Sequence, residues 1–124
     1  MGLLSVLSVP YLLLLLACEG ADSMTREHLR NRRPHLVTDF EHGGIRFTLG
    51  VGFFDNGRLA EVFLNSSKVG TGVDTQARDG AILLSLLLQH GCPLETIRRA
   101  LLRNPDGSPA GPLSAAVDLL SEVS

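Results

Sequence analysis

From Gly57 to Leu102 the chain reads GRLAEVFLNSSKVGTGVDTQARDGAILLSLLLQHGCPLETIRRALL, and this stretch decides the fold. Arg58 to Leu64 has strand character, and a polar loop with Gly70 and Gly72 follows. Asp74 is the expected N-cap of a helix running from Thr75. From Ala81 to Leu88 that helix reads AILLSLLL, and its one polar stripe is Arg78, Ser85 and Gln89. Apolar residues therefore cover most of its circumference. One small sheet cannot cover such a helix on every side, so either later helices wrap it or a second chain does. Gly91 is placed to stop it after His90. Pro93 at N1 and Glu95 at N3 start the next helix, with Leu94, Ile97 and Leu101 facing inward.

Upstream, Leu36 to Phe40 is a short strand candidate and His42-Gly43-Gly44 a turn. Ile45, Phe47, Leu49, Val51 and Phe53 alternate with Arg46, Thr48, Gly50, Gly52 and Phe54, a period of two that makes one apolar face. Gly50 and Gly52 leave the opposite face bare, as a thin sheet or the close approach of another backbone would require. Asp55-Asn56-Gly57 is a hairpin turn, because Asn and Gly tolerate positive φ. Downstream, Asn104 to Gly111 is a loop. Pro112 to Leu120 is a final helix with Leu113, Ala116, Val117 and Leu120 on one side. The expectation is an α+β domain: a small antiparallel sheet of about three strands followed by two or three packed helices.

With 124 residues there is room for one small domain. A hydrophobic content of 44% with 19% charged residues is that of a globular chain. With no Trp and one Tyr, the core rests on aliphatic residues and five Phe. A net charge of -2 argues against a broad nucleic-acid surface. Cys18 and Cys92 cannot make a disulfide framework, and no Cys/His spacing fits zinc. A reduced, cytoplasmic protein is the expectation.

The chain divides into an apolar segment 1–23, a basic arm 24–34 and a domain 35–121. Leu3 to Ala17 is close to a signal h-region in length and short for a spanning helix, but no Lys or Arg precedes it. Leu15 to Cys18, LLAC, resembles a lipobox with Cys18 as the lipidated residue. Three readings stand: a true start at Met24, a signal or lipoprotein segment, or a membrane anchor. A membrane is a partner only if residues 1–23 are retained. Arg26, Arg30, Arg32 and Arg33 in the arm would contact an anion or nucleic acid, or simply form a solvated tail.

The loop from Asn65 to Asp74 is the best candidate site. It joins a strand end to a helix start, where free N–H groups and the helix dipole favour an anion. Lys68 adds charge, and Gly70, Thr71 and Gly72 bring the backbone within reach of a nucleotide phosphate. It is no Walker A loop, and Asp74 would compete for the same donors. Cys92 at a helix start is either a stabilised thiolate or a small buried hydrophobe. His28, His35, His42 and His90 fall in no ligand pattern, and His90 complements a helix C-terminus. Glu61 is expected to face solvent or to pair with Arg58 or Arg78, rather than act as a base. No catalytic residue or metal site is assigned.

Three motifs occur in order: G-x-L-x-E-V-F-L-N at Gly57 to Asn65, K-V-G at Lys68 to Gly70, and AILLSLLLQHG-x-PLE at Ala81 to Glu95. Together they resemble the TSCPD domain, a module near the C-terminus of adenosylcobalamin-dependent ribonucleoside-diphosphate reductases. The resemblance covers about Gly44 to Leu102. It implies an association with deoxyribonucleotide synthesis, with adenosylcobalamin belonging to the family and not bound by this chain. Its departures matter. Ribonucleotide reduction needs a thiyl-forming cysteine, two electron-supplying cysteines and a large barrel. The cysteine-bearing stretch that often closes the domain is replaced by RNPDGSPAGPLSAAVDLLSEVS from Arg103. The resemblance therefore implies a stand-alone binding or accessory module, partnered by itself or by a reductase large subunit. The rival expectation is an exported or lipid-anchored interaction protein.

Overall fold

The computed structural model describes residues 25–29 and 35–123. Cys18, Met24 and the arginines Arg30, Arg32 and Arg33 lie outside the described residues. Three strands, β1 (His35–His42), β2 (Ile45–Phe53) and β3 (Leu59–Ser66), form an antiparallel meander in the order β1-β2-β3. Three helices follow: α1 (Gly72–Gln89), α2 (Leu94–Ala100) and α3 (Pro112–Val123). This is the expected α+β arrangement; β1 extends beyond the expected Leu36–Phe40 at both ends, and β3 starts one residue later and ends two later than the expected Arg58–Leu64.

The turns lie where their residues place them. Gly43 and Gly44 both take positive φ, 59° and 78°, which a two-residue hairpin loop needs. At the second hairpin the Phe54 N–H donates to the Arg58 carbonyl at 2.8 Å, and Asn56 Oδ1 accepts from the Arg58 N–H.

The pleat sorts the two faces. Phe47, Leu49 and Val51 of β2 and Val62 and Leu64 of β3 point to the helices. From α1 the spacing Ala77, Ala81, Leu84, Leu88 supplies one buried stripe. Ala77 and Ala81 are small, so the helix backbone comes close to β3. Ile97 of α2 and Ala116, Val117 and Leu120 of α3 complete the core. Cys92 is buried there as a small apolar residue. The later helices do not wrap α1 fully: Ile82 is 58% and Leu83 63% exposed.

Three local expectations are corrected. The N-cap of α1 is Thr71, whose Oγ1 accepts from the Asp74 N–H at 3.3 Å; Asp74 lies inside the first turn. Thr and Asp are both good caps, and here the Asp74 carboxylate is taken up elsewhere. Pro93 is the cap of α2 rather than its first residue. The bare face at Gly52 is met by a side chain, not a backbone: a Cβ there would lie 2.6 Å from Glu61 Cγ.

Candidate functional site

The polar stripe of α1 is turned onto the outer edge of β3. Ser85 Oγ accepts from the Val62 N–H at 2.8 Å and donates to the Val62 carbonyl at 3.1 Å, and it also reaches the Ala81 carbonyl of its own helix. Gln89 Nε2 donates to the Ala60 carbonyl at 3.0 Å. Asp74 Oδ1 accepts from the Ser66 N–H at 2.8 Å. These bonds do for β3 what a fourth strand would do, and they let an edge strand be buried. The Ser66 N–H, helped by Arg78 (Nε to Asp74 Oδ2, 3.0 Å) and against the effect of burial, holds the Asp74 carboxyl below its ordinary value.

Beyond this seam the side chains part and leave a groove of about 390 Å³ between β3 and α1. Phe63 and Ile82 are among its apolar lining, and Ser85, Arg26 and Arg78 among its polar lining. Arg26 is held by its Nε donating to Gln89 Oε1. The Glu27 N–H donates to the Gln89 carbonyl at 2.8 Å, and the Glu27 carboxylate pairs with Arg58, so the arm is clipped to the C-terminal end of α1.

Glu61 also lines the groove, but it does not face solvent and is paired with neither Arg58 nor Arg78. At 7% exposure it is buried, lying across Gly52 toward His35, whose Nε2 is 3.5 Å from Glu61 Oε1. The register puts His35, Gly52 and Glu61 in one row across the sheet. Any side chain at position 52 would block that path.

The loop candidates lie apart from the groove. Lys68, Gly70, Thr71 and Gly72 are all exposed. Thr71 Oγ1 donates to the Lys68 carbonyl at 2.7 Å as well as capping α1, and the Lys68 N–H donates to Ser66 Oγ at 2.9 Å. Gly70 needs its residue type, with φ 80°; the backbone at Gly72 does not impose glycine.

The sequence reading missed the groove. Its polar half was visible as the stripe Arg78, Ser85 and Gln89, but Arg26 reaches it only through tertiary contact. A second hollow of about 470 Å³ lies beside Arg58, Leu88 and Cys92. Among the described residues no cluster of His, Cys, Asp and Glu could hold a metal ion. His42 is engaged by the Pro109 carbonyl at 3.1 Å and His90 by the Leu86 carbonyl at 2.8 Å. Nor is any described helix long and apolar enough to cross a membrane.

A family model described as the TSCPD domain matches residues 22–123. Among curated proteins, a vitamin B12-dependent ribonucleotide reductase of Agrobacterium fabrum is 38% identical over 73 residues, 59% of this chain and 6% of that protein. One of Bradyrhizobium diazoefficiens is 36% identical over 70 residues, 56% of this chain and 6% of its own length. One of Streptantibioticus cattleyicolor is 35% identical over 71 residues, 57% of this chain and 12% of its own. The match therefore spans only a small part of these relatives. No solved structure matches the chain significantly. Among the described residues, His35, His42 and His90 are engaged within the fold and no metal-holding cluster forms.

Proposed function

The chain belongs to the TSCPD domain family, and from that premise we propose that it is a binding or accessory module for a ribonucleotide reductase large subunit, without catalysis of its own. One observation carries the reading: α1 leaves Ile82 and Leu83 exposed although the helix is built into the core on its other side. Exposed apolar residues side by side on a small domain mark a surface made to be covered. In the related reductases the matching region is a small part of one long chain, which supports a large subunit as the covering partner.

The contact with a nucleotide phosphate belongs to the same proposal, with Lys68 as its cation and Gly70, Thr71 and Gly72 as the backbone around it. Its support is the exposure of all four residues at the start of α1.

The native mass of the protein, measured alone and with the reductase large subunit of the same cell by light scattering after size exclusion, tests the reading. A stable complex with the subunit is expected. A self-associated oligomer that ignores the subunit would overturn it and make the exposed helix face the module's own interface. Titration with ADP, compared between the wild type and Lys68→Ala, tests the phosphate contact separately: equal affinities would remove it.

A further inference from the structure

We infer that the groove between β3 and α1 is a peptide site for an extended segment of about five residues, with carboxylates at both ends and an apolar side chain between them. The inference deepens the accessory reading, on which it rests only for where such a segment would come from.

Length and charge set the occupant. Arg78 borders one end of the groove, and Arg26, fastened to Gln89, borders the other. Positions 78 and 89 are about three helical turns apart, roughly 16 Å along α1. At about 3.3 Å per residue that span accepts an extended segment of about five residues. Both guanidiniums keep donors to spare, because Arg26 meets Gln89 and Arg78 meets Asp74 through Nε alone. A guanidinium with free N–H groups is suited to a carboxylate. Asp74 already pairs with Arg78 Nε at one end, and Glu61 on the lining is turned across Gly52 toward His35.

The middle of the groove is apolar. Phe63, 48% exposed on the outer face of the sheet, and Ile82 flank it. The Phe63 ring lies over its register partner Gly50, which has no side chain to cover it. At about 390 Å³ the groove takes one or two aliphatic side chains rather than a folded element. Guanidinium donors at both ends, an apolar centre and a linear outline describe a peptide better than a nucleotide, which would concentrate its charge at one end.

The test is fluorescence anisotropy with a labelled hexapeptide, Glu-Ala-Leu-Val-Ala-Asp, on the full chain. Saturable binding that weakens with added salt is expected. A version with Gln and Asn in place of the acidic ends should bind about tenfold more weakly, equivalent to about 1.4 kcal/mol. Ile82→Asp, at an exposed position that should leave folding intact, should weaken the acidic peptide at least about tenfold by placing a carboxylate in the groove. Leu83→Asp, equally exposed but off the lining, should change it less than about twofold.

No saturation up to about 1 mM peptide, the weakest affinity worth calling specific, overturns the proposal. Equal binding of the neutral-ended peptide overturns its charge argument, and equal losses in the two variants move the surface from the groove to the helix face. Displacement of the peptide by ADP at matched concentration would reassign the groove to a nucleotide. A reductase complex that survives Ile82→Asp would sink the groove and spare the accessory role. Peptide binding without a reductase complex would do the reverse.

Discussion

The two edges of the sheet are treated in opposite ways. Along β3, α1 supplies Asp74, Ser85 and Gln89 to the backbone groups of Ser66, Val62 and Ala60, and Ala60, Val62 and Leu64 are buried. Along β1, no described element pairs with the outer edge, and Leu36 and Val37 are 58% and 70% exposed. Both strands pair with the same β2 and have similar length, so strand pairing does not explain the difference. What separates them is one helix that is apolar where it meets the core and polar where it meets the strand edge. The closed edge is where stability resides and the open edge is where substitutions are cheap. The groove lies just outside the closed seam, where a rigid frame can hold Arg78 and Arg26.

The sharpest way to break this comparison is to remove a side chain from the closed side. Leu84 is fully buried between α1 and the sheet. Leu84→Ala should cost about 2–5 kcal/mol, the range for a leucine truncated in a packed core, read as a lower urea midpoint at unchanged slope. Its neighbour Leu83→Ala should stay within about 0.5 kcal/mol, as surface changes do. Similar losses for the two would mean that α1 is not docked by the face described.

Ser85→Ala tests the seam itself. It leaves the Val62 N–H and carbonyl without the hydroxyl that meets both, which should cost about 1–3 kcal/mol. The Val62 amide should also lose hydrogen-exchange protection ahead of its neighbours, because the change acts locally. An unchanged Val62 amide would show that the hydroxyl does not hold the strand edge.

Acid should loosen the helical half and the seam together. Asp74 is held below its ordinary value by the Ser66 N–H, and Asp118 by its two-pronged hydrogen bonding from Arg103. Glu95 is lowered to about 2, first by its hydrogen bond from Arg98. Each carboxyl binds a proton more readily in the unfolded chain, so its stabilisation is complete above the unfolded value of about 4 and is lost as pH falls through the folded one. The Tm should be flat from about pH 7 to 5 and fall below about pH 4. Asp118→Asn should lower the Tm at pH 7 and make the fall between about pH 5 and 3 shallower. The Glu95 pairs are half-exposed and should add little to either. A profile that Asp118→Asn leaves unchanged would remove the Arg103 pair from the acid response.

Much of this architecture was legible because it is encoded locally. The turns at Gly43-Gly44 and Asn56-Gly57, the alternation of Ile45 to Phe53 and the stop at Gly91 each depend on residues a few positions apart. The buried stripe of α1 follows from its period, and its exposed remainder from its being apolar nearly all round. The rest depends on partners distant in sequence. Glu61 read as a surface residue because nothing near it in the chain reveals that register places it beside Gly52 and within reach of His35. Asp74 read as a cap because the Ser66 N–H that claims its carboxylate is fixed by the path of the loop. The groove needed Arg26, whose place on Gln89 no periodicity announces. Family membership was legible from three ordered motifs, since it rests on the same residues that set the loop and α1.

The smallest expected effect is on the open edge. Val37 lies on the outer face in one row with Gly50 and Phe63, and its side chain is mostly in solvent. Val37→Lys should therefore change stability by less than about 0.5 kcal/mol, against the several expected for Leu84. Its consequence should appear in association. A bare strand edge with exposed Leu36 and Val37 is a template for another strand, and a lysine there discourages pairing by charge and by the cost of desolvating it. Light scattering of concentrated, partly heated protein should show slower aggregation for Val37→Lys than for the wild type, with unchanged monomer stability. A loss near 2 kcal/mol instead would mean that β1 is covered in solution, and the contrast between the two edges would fail.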